Sequence, residues 1–349
     1  MTVVAFHLCE SHAGGDVFAQ VLNHGYLAVD FFFLLSGFVL GYAYDDRWGR
    51  MTYTEFLKRR LVRLQPMVVM GSIVGAACFY FGGSALFPMI ASTPVWKMIL
   101  LAVLGMALLP VPVSWDIRGW DEMYPLNGPA WSLFYEYLAN FVYALVLRRL
   151  GIRLLALLAL IAGAVTIQHL STNTLATMIG GWTLNTDHVR IGFTRLAYPF
   201  LAGMLVYRLG WKVRIRHGFW WCSMALFGLL AAPRLGTPTT VWPNALYESA
   251  CILLIFPAIV AAGAGSELVG VRSSRICLFL GRLSYPIYIT HYPLIYLYMN
   301  WVVKRKLTLQ AALPLTVATF AVIIAVSYAA LRFYDEPVRA YFTRRSQSQ

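Results

Sequence analysis

Charge is scarce in this chain: Asp, Glu, Lys and Arg make up 12% of its 349 residues, against about a quarter in soluble domains. That shortage, beside 59% hydrophobic residues, excludes an ordinary soluble domain and points to an all-α polytopic membrane bundle. Acidic residues are scarcer still, with 15 Asp and Glu against 28 Lys and Arg and a formal net charge of +13. This basic excess does not make nucleic acid a partner. The Arg and Lys residues stand in short groups between apolar runs, the pattern of cytoplasmic loops. Cysteine is limited to Cys9, Cys78, Cys222, Cys251 and Cys277, an odd number without a C-x-x-C pair. They read as apolar packing residues, not a disulfide framework, and no metal site is expected. Long polar linkers and low-complexity blocks are absent too. One integral membrane domain over 1–342 is expected, followed by a polar cytoplasmic tail at 343–349.

What is there in quantity is apolar sequence. Runs at about 2–9, 27–44, 66–82, 95–112, 131–147, 153–170, 190–208, 219–233, 248–264, 283–302 and 312–334 are candidates for crossing a bilayer. The first, MTVVAFHL, is too short to span about 30 Å of hydrocarbon. It predicts an incomplete first helix or a start assigned too late. Basic groups after 27–44 (Arg47 to Arg63) and after 131–147 (Arg148, Arg149, Arg153) place both loops in the cytoplasm. An even number of crossings must separate them, so one of three intervening runs does not cross. The Pro94, Pro110 and Pro112 flanks single out 95–112 as re-entrant or interfacial. About ten crossings with both termini cytoplasmic then follow. The segment 52–64 places Phe56, Leu57, Leu61 and Leu64 at helical spacing among Lys58, Arg59, Arg60 and Arg63. It reads as an amphipathic helix on the cytoplasmic surface, with Thr52 or Thr54 as its cap.

Ionisable residues inside such runs are the functional candidates, because a carboxylate in hydrocarbon needs a partner or a use. Asp30 heads DFFFLLSGFVLGYAY. His7, set among Val, Ala, Phe and Leu, suits a general base on an alcohol or a transient acyl-imidazole. The alternative is a histidine hydrogen-bonded within the bundle. Asp30 is the carboxylate expected to orient it. Glu10, His12 and His24 read as solvated loop residues. Gly37–Gly41 and Gly71–Gly75 read as packing pairs. In NGPAWSLFYEY, Trp131 and Ser132 open a helix that carries Glu136 a turn and a half in, either for proton handling or paired with an Arg. The stripe LGRLSYPIYITHYPLIY, with Tyr285 and His291, would line a sugar- or acyl-sized cavity or simply bond between helices. Arg60 and Arg63 present two guanidinium forks, suited to phosphates or to anionic lipid headgroups.

Six segments stand in a familiar order: FHL at 6–8, GYLAVDFFFLLSGFVLGY at 25–42, FLKRRLVRLQP at 56–66, WSLFYE at 131–136, LGRLSYPIYITHYPL at 280–294 and YDEPVRAYF at 334–342. Together they resemble the membrane-bound acyltransferase-3 family of bacteria, over almost the whole chain. The resemblance implies a ten-helix enzyme of the bacterial inner membrane. Such an enzyme takes an acyl group, usually acetyl, from cytoplasmic acyl-CoA as co-substrate, with no bound cofactor. The acceptor is a hydroxyl of an extracytoplasmic, carbohydrate or lipid-linked glycan. It also implies that His7 is the essential histidine, that Arg60 and Arg63 are the R-x-x-R pair, and that Glu136 is the carboxylate of W-S-L-x-x-E. The family's basic residue eleven positions before the histidine would precede Met1, so an upstream in-frame extension is expected. The rival class is a transporter of protons or a small solute; a binding or scaffold protein is a third. Against transport stand the lack of an inverted repeat and of paired broken helices.

Overall fold

The computed structural model describes residues 1–267 and 270–347 and is built from helices, with no β-strand among those residues. In chain order they are α1 (Thr2–Glu10), α2 (Ala28–Tyr44), α3 (Tyr53–Phe79), α4 (Met89–Ser92), α5 (Val95–Met106), α6 (Ala130–Leu145) and α7 (Ile152–Thr172). There follow α8 (Thr186–Arg208), α9 (Gly218–Ala231), α10 (Trp242–Ala250), α11 (Phe256–Ala264), α12 (Val271–Arg305), α13 (Leu309–Ala330) and α14 (Glu336–Gln347). Single π turns join α10 to α11 and α13 to α14. Among the described residues six helical stretches are long and apolar enough to cross a membrane: 25–50, 53–82, 152–172, 186–208, 242–264 and 309–345. The expected interfacial run at 95–112 forms a helix of only 12 residues, α5, about 18 Å at 1.5 Å per residue. The last run expected to be a tail continues α14 through 343–347, and residues 348–349 lie outside the described residues.

Two helices differ from the sequence expectation. The amphipathic segment at 52–64 is not a separate surface helix: it runs without a break into the following apolar run as the 27-residue α3. Pro66 lies inside α3, and neighbouring helices can re-satisfy the backbone group that a proline frees in a membrane helix. Thr52, not Thr54, caps the start, accepting from the Glu55 amide at 3.2 Å while Glu55 accepts from the Thr52 amide at 2.9 Å, a capping box. Likewise α12 extends beyond 283–302 to 35 residues and contains Pro286 and Pro293.

Three buried apolar clusters hold the bundle together. The closest helix pair is α2 with α8, and glycine is the reason. A Cβ at Gly37 would fall 2.0 Å from the Phe200 carbonyl oxygen, and one at Gly203 would fall 1.9 Å from that of Leu34. Small residues that let helix backbones touch supply much of membrane-helix packing. Gly203→Leu is therefore expected to cost at least about 1–3 kcal/mol through overpacking and to lower the melting temperature in detergent. An unchanged melting temperature would show that the contact is not tight.

Two basic connections, 45–50 and 147–150, meet at one end of the bundle, whereas Lys304–Lys306 precede Leu307, whose carbonyl meets His12 after α1. Arg208 donates to Asp45 at 2.7 Å and to the carbonyls of Leu147, Arg148 and Leu150. We call this the basic end; α1 and the loop at 11–24 lead to the opposite end.

Candidate active site

His7 sits one turn from the C-terminus of α1 and faces a chamber of about 380 Å³, within the size range of small-molecule sites, roughly 300–1,000 Å³. Its walls include Phe6, Tyr26, Trp120, Trp131, Trp182, Tyr288 and Tyr292, with Glu10, Glu122 and Arg195 as the other charged residues. Phe6 and Tyr292 hold the imidazole edge-on, with ring centroids 4.9 and 4.8 Å away.

The carboxylate on the imidazole is Glu10, not Asp30. Glu10 ends α1, where the sequence reading placed a solvated loop, and its Oε2 lies 2.7 Å from His7 Nδ1. Positions three apart share a helix face. Asp30 is instead occupied by Arg195 of α8: Nη2 approaches at 2.8 Å and Nε at 3.3 Å, with the carboxylate fully buried. Arg195 also donates to the carbonyls of Gly180 and Tyr26, so the pair braces α2, α8 and the loop between α7 and α8.

The remaining sequence candidates fall into two further spaces. A neck of about 120 Å³, sharing Val29 and Tyr288 with the chamber, is lined by Phe32, Phe33, Ser132, Glu136 and Tyr285 among others. Beyond it, sharing Phe32, Glu136 and Tyr285 with the neck, lies a cleft of about 530 Å³ with Arg60, Arg63, Arg282 and Arg339 in its walls. Chamber, neck and cleft thus adjoin through common residues, from His7 to the basic end. Glu136 accepts from Arg60 at 3.0 Å and from Ser36 at 3.1 Å. Arg339 pairs with Asp335 and Arg282 with Glu336. Arg63 forms no ion pair among the described residues. Ser132 and Tyr288 hydroxyls meet at 2.5 Å, and Tyr285 donates to the Leu64 carbonyl at 2.8 Å. Trp131 lines the chamber wall.

His291 is fully buried and is not a chamber wall residue. Its Nδ1 faces the carbonyls of Ile287 and Tyr288, Nε2 has no partner among the described residues, and its ring centroid stands 5.5 Å from that of His7. Sequence reasoning missed Arg195, Glu122, Trp120 and Trp182. Glu122 lies in the connection between α5 and α6, where burial pushes its carboxyl up to about 8. No group of three or more His, Cys, Asp or Glu suited to a metal occurs among the described residues.

A histidine–carboxylate pair on such a chamber is general equipment for moving a proton to and from a hydroxyl. Comparison with known proteins specifies the class. The family model described as an acyltransferase domain, acyltransferase-3, matches residues 1–332. The chain belongs to this family. It is 26% identical to the acyltransferase MdmB of Streptomyces mycarofaciens over 293 residues, 80% of this chain and 71% of the relative. It is also 35% identical to protein 2 in the picA locus of Rhizobium radiobacter over 153 residues, 41% of this chain and 76% of that protein. No solved structure matches. The protein is accordingly a multi-pass membrane acyltransferase, which sets the transporter alternative aside.

Proposed function

We propose that this acyltransferase takes an acyl group, acetyl in the first instance, from acyl-CoA in the cytoplasm. It passes the group to a hydroxyl of an extracytoplasmic glycan or glycolipid, from the bacterial inner membrane and with both termini cytoplasmic. The observation that carries this reading is the adjoining series of spaces from the arginine-lined cleft to His7. A donor with anionic phosphates fits the cleft, where Arg63 has no carboxylate partner and guanidinium forks match phosphate oxygens. The thin pantetheine arm suits the neck, and the acceptor occupies the chamber.

In the chemical step the hydrogen bond to Glu10 keeps a proton on His7 Nδ1, which leaves the Nε2 lone pair as the base. Nε2 takes the proton of the acceptor hydroxyl as its oxygen attacks the thioester carbonyl. The Tyr288 hydroxyl, which lines the chamber and here donates to the Pro129 carbonyl at 2.9 Å, turns from that carbonyl to the oxyanion. Collapse breaks the carbon–sulfur bond, and the imidazolium returns its proton to the departing thiolate. A route through acyl-His7 uses the same residues; ping-pong kinetics would identify it.

The test is transfer of label from radioactive acetyl-CoA by the purified chain, with Arg63→Ala alongside. Loss of one charge-assisted phosphate contact, about 1.5–3 kcal/mol, should raise the KM for acetyl-CoA about tenfold or more and leave kcat nearly unchanged. An unaltered KM would remove the cleft as the donor site. Deleting the gene and comparing acyl esters on surface polysaccharides by NMR would identify the acceptor.

A further inference from the structure

The chamber walls carry carboxyl groups but no cation left to balance them. Arg195 is neutralised by Asp30, and His7 shares its Nδ1 with Glu10. Arg118, 1% exposed, lies behind the chamber with its guanidinium 3.6 Å from the Tyr296 ring centroid. Its field at Glu122 is opposed by that of Asp116. While Glu10 is ionised, no protonation state of His7 and Glu122 makes the lining net positive.

Glu122 is the unexplained member. It is 5% exposed and lines the chamber; Oε2 accepts from Tyr296 at 2.5 Å, while Oε1 has no partner among the described residues. Space for it is kept by Gly128, where a Cβ would lie 2.6 Å from Oε1. Oε1 opens on the chamber, where the hydroxyl of a ligand can take the place of water on it.

Resting on the reading of the chamber as the acceptor site, we propose that it is a charge filter. Glu122 hydrogen-bonds the acceptor and, with Glu10, admits an uncharged or amine-bearing hydroxylated ring while rejecting a carboxylated or phosphorylated one. Three chamber tryptophans, Trp120, Trp131 and Trp182, agree with this: aromatic faces stack on a neutral ring and attract an ammonium.

The filter can be measured without knowing the acceptor. Ile179, which borders the chamber and a smaller outer pocket, is replaced by cysteine in a chain whose native cysteines are alanine; Val3→Cys, also on the chamber, serves as the second variant. The probes are a cationic trimethylammonium-ethyl and an anionic sulfonatoethyl methanethiosulfonate, each rate divided by that for a free thiol. The cation should react at least tenfold faster at both positions. At pH 9, where Glu122 is ionised, Glu122→Gln should shrink that ratio several-fold. The ratio should also grow as pH rises through about 8, where the buried Glu122 carboxyl loses its proton beside Tyr296, Tyr292, Arg118, Asp116 and Glu10. Equal rates, a faster anion, no labelling, or a ratio indifferent to Glu122→Gln would overturn the proposal. Labelling needs no turnover, so failure here is separable from failure of the acyl-transfer reading, which an active His7→Ala chain would reveal.

Discussion

Replacing His7 with alanine is expected to lower acyl transfer by about 10²–10⁴-fold, the contribution of a positioned general base, with the melting temperature nearly unchanged. The two halves of that result come from one geometry. His7 lines the chamber at 18% side-chain exposure, and Glu10, its only hydrogen-bonding side-chain partner among the described residues, is 39% exposed. Loss of the ring therefore leaves a carboxylate that solvent can reach, a small stability penalty beside stranding a buried charge. If the route ran through acyl-His7 the loss would be at least as large. Glu10→Gln should show a smaller fall in kcat with little change in KM, because it removes an orienting charge and keeps the base. Full activity of His7→Ala would take the imidazole out of the mechanism.

The residues that sequence made readable are those whose signal is local. Apolar runs set the bundle, the Gly37–Gly41 pair marks a close helix contact, and Thr52 or Thr54 marks a helix start that Thr52 makes. Pairing was not readable, because it joins positions far apart in the chain. Arg195 is 165 positions from Asp30, and Arg60 is 76 from Glu136. Sequence proximity within a membrane run therefore points to Asp30 as the partner of His7, whereas the helical spacing of His7 and Glu10 carries the pair that forms. Glu122 was silent for a different reason. It lies in a loop of mixed composition; Tyr296 of α12 packs against that loop and donates to Glu122.

Separating Asp30 from Arg195 gives the other large effect. Three contacts at 2.8–3.3 Å join groups that are 0% and 2% exposed, so neither Asp30→Leu nor Arg195→Met alone lets the remaining charge find water. Breaking such a pair typically costs about 3–5 kcal/mol, and each single variant should unfold at a clearly lower temperature in detergent. The double variant, in which both charges give way to apolar side chains, should recover most of that loss, since attraction in a buried pair does little more than offset desolvation. The double variant also separates structure from chemistry. Asp30 lies in the family-like segment at 25–42, and its side chain touches Arg195, not the His7 ring. A double variant that folds and transfers would make the pair a brace between α2 and α8. One that folds and is inert would assign the pair a part in the reaction, through Arg195, which lines the chamber, or through Asp30 behind it.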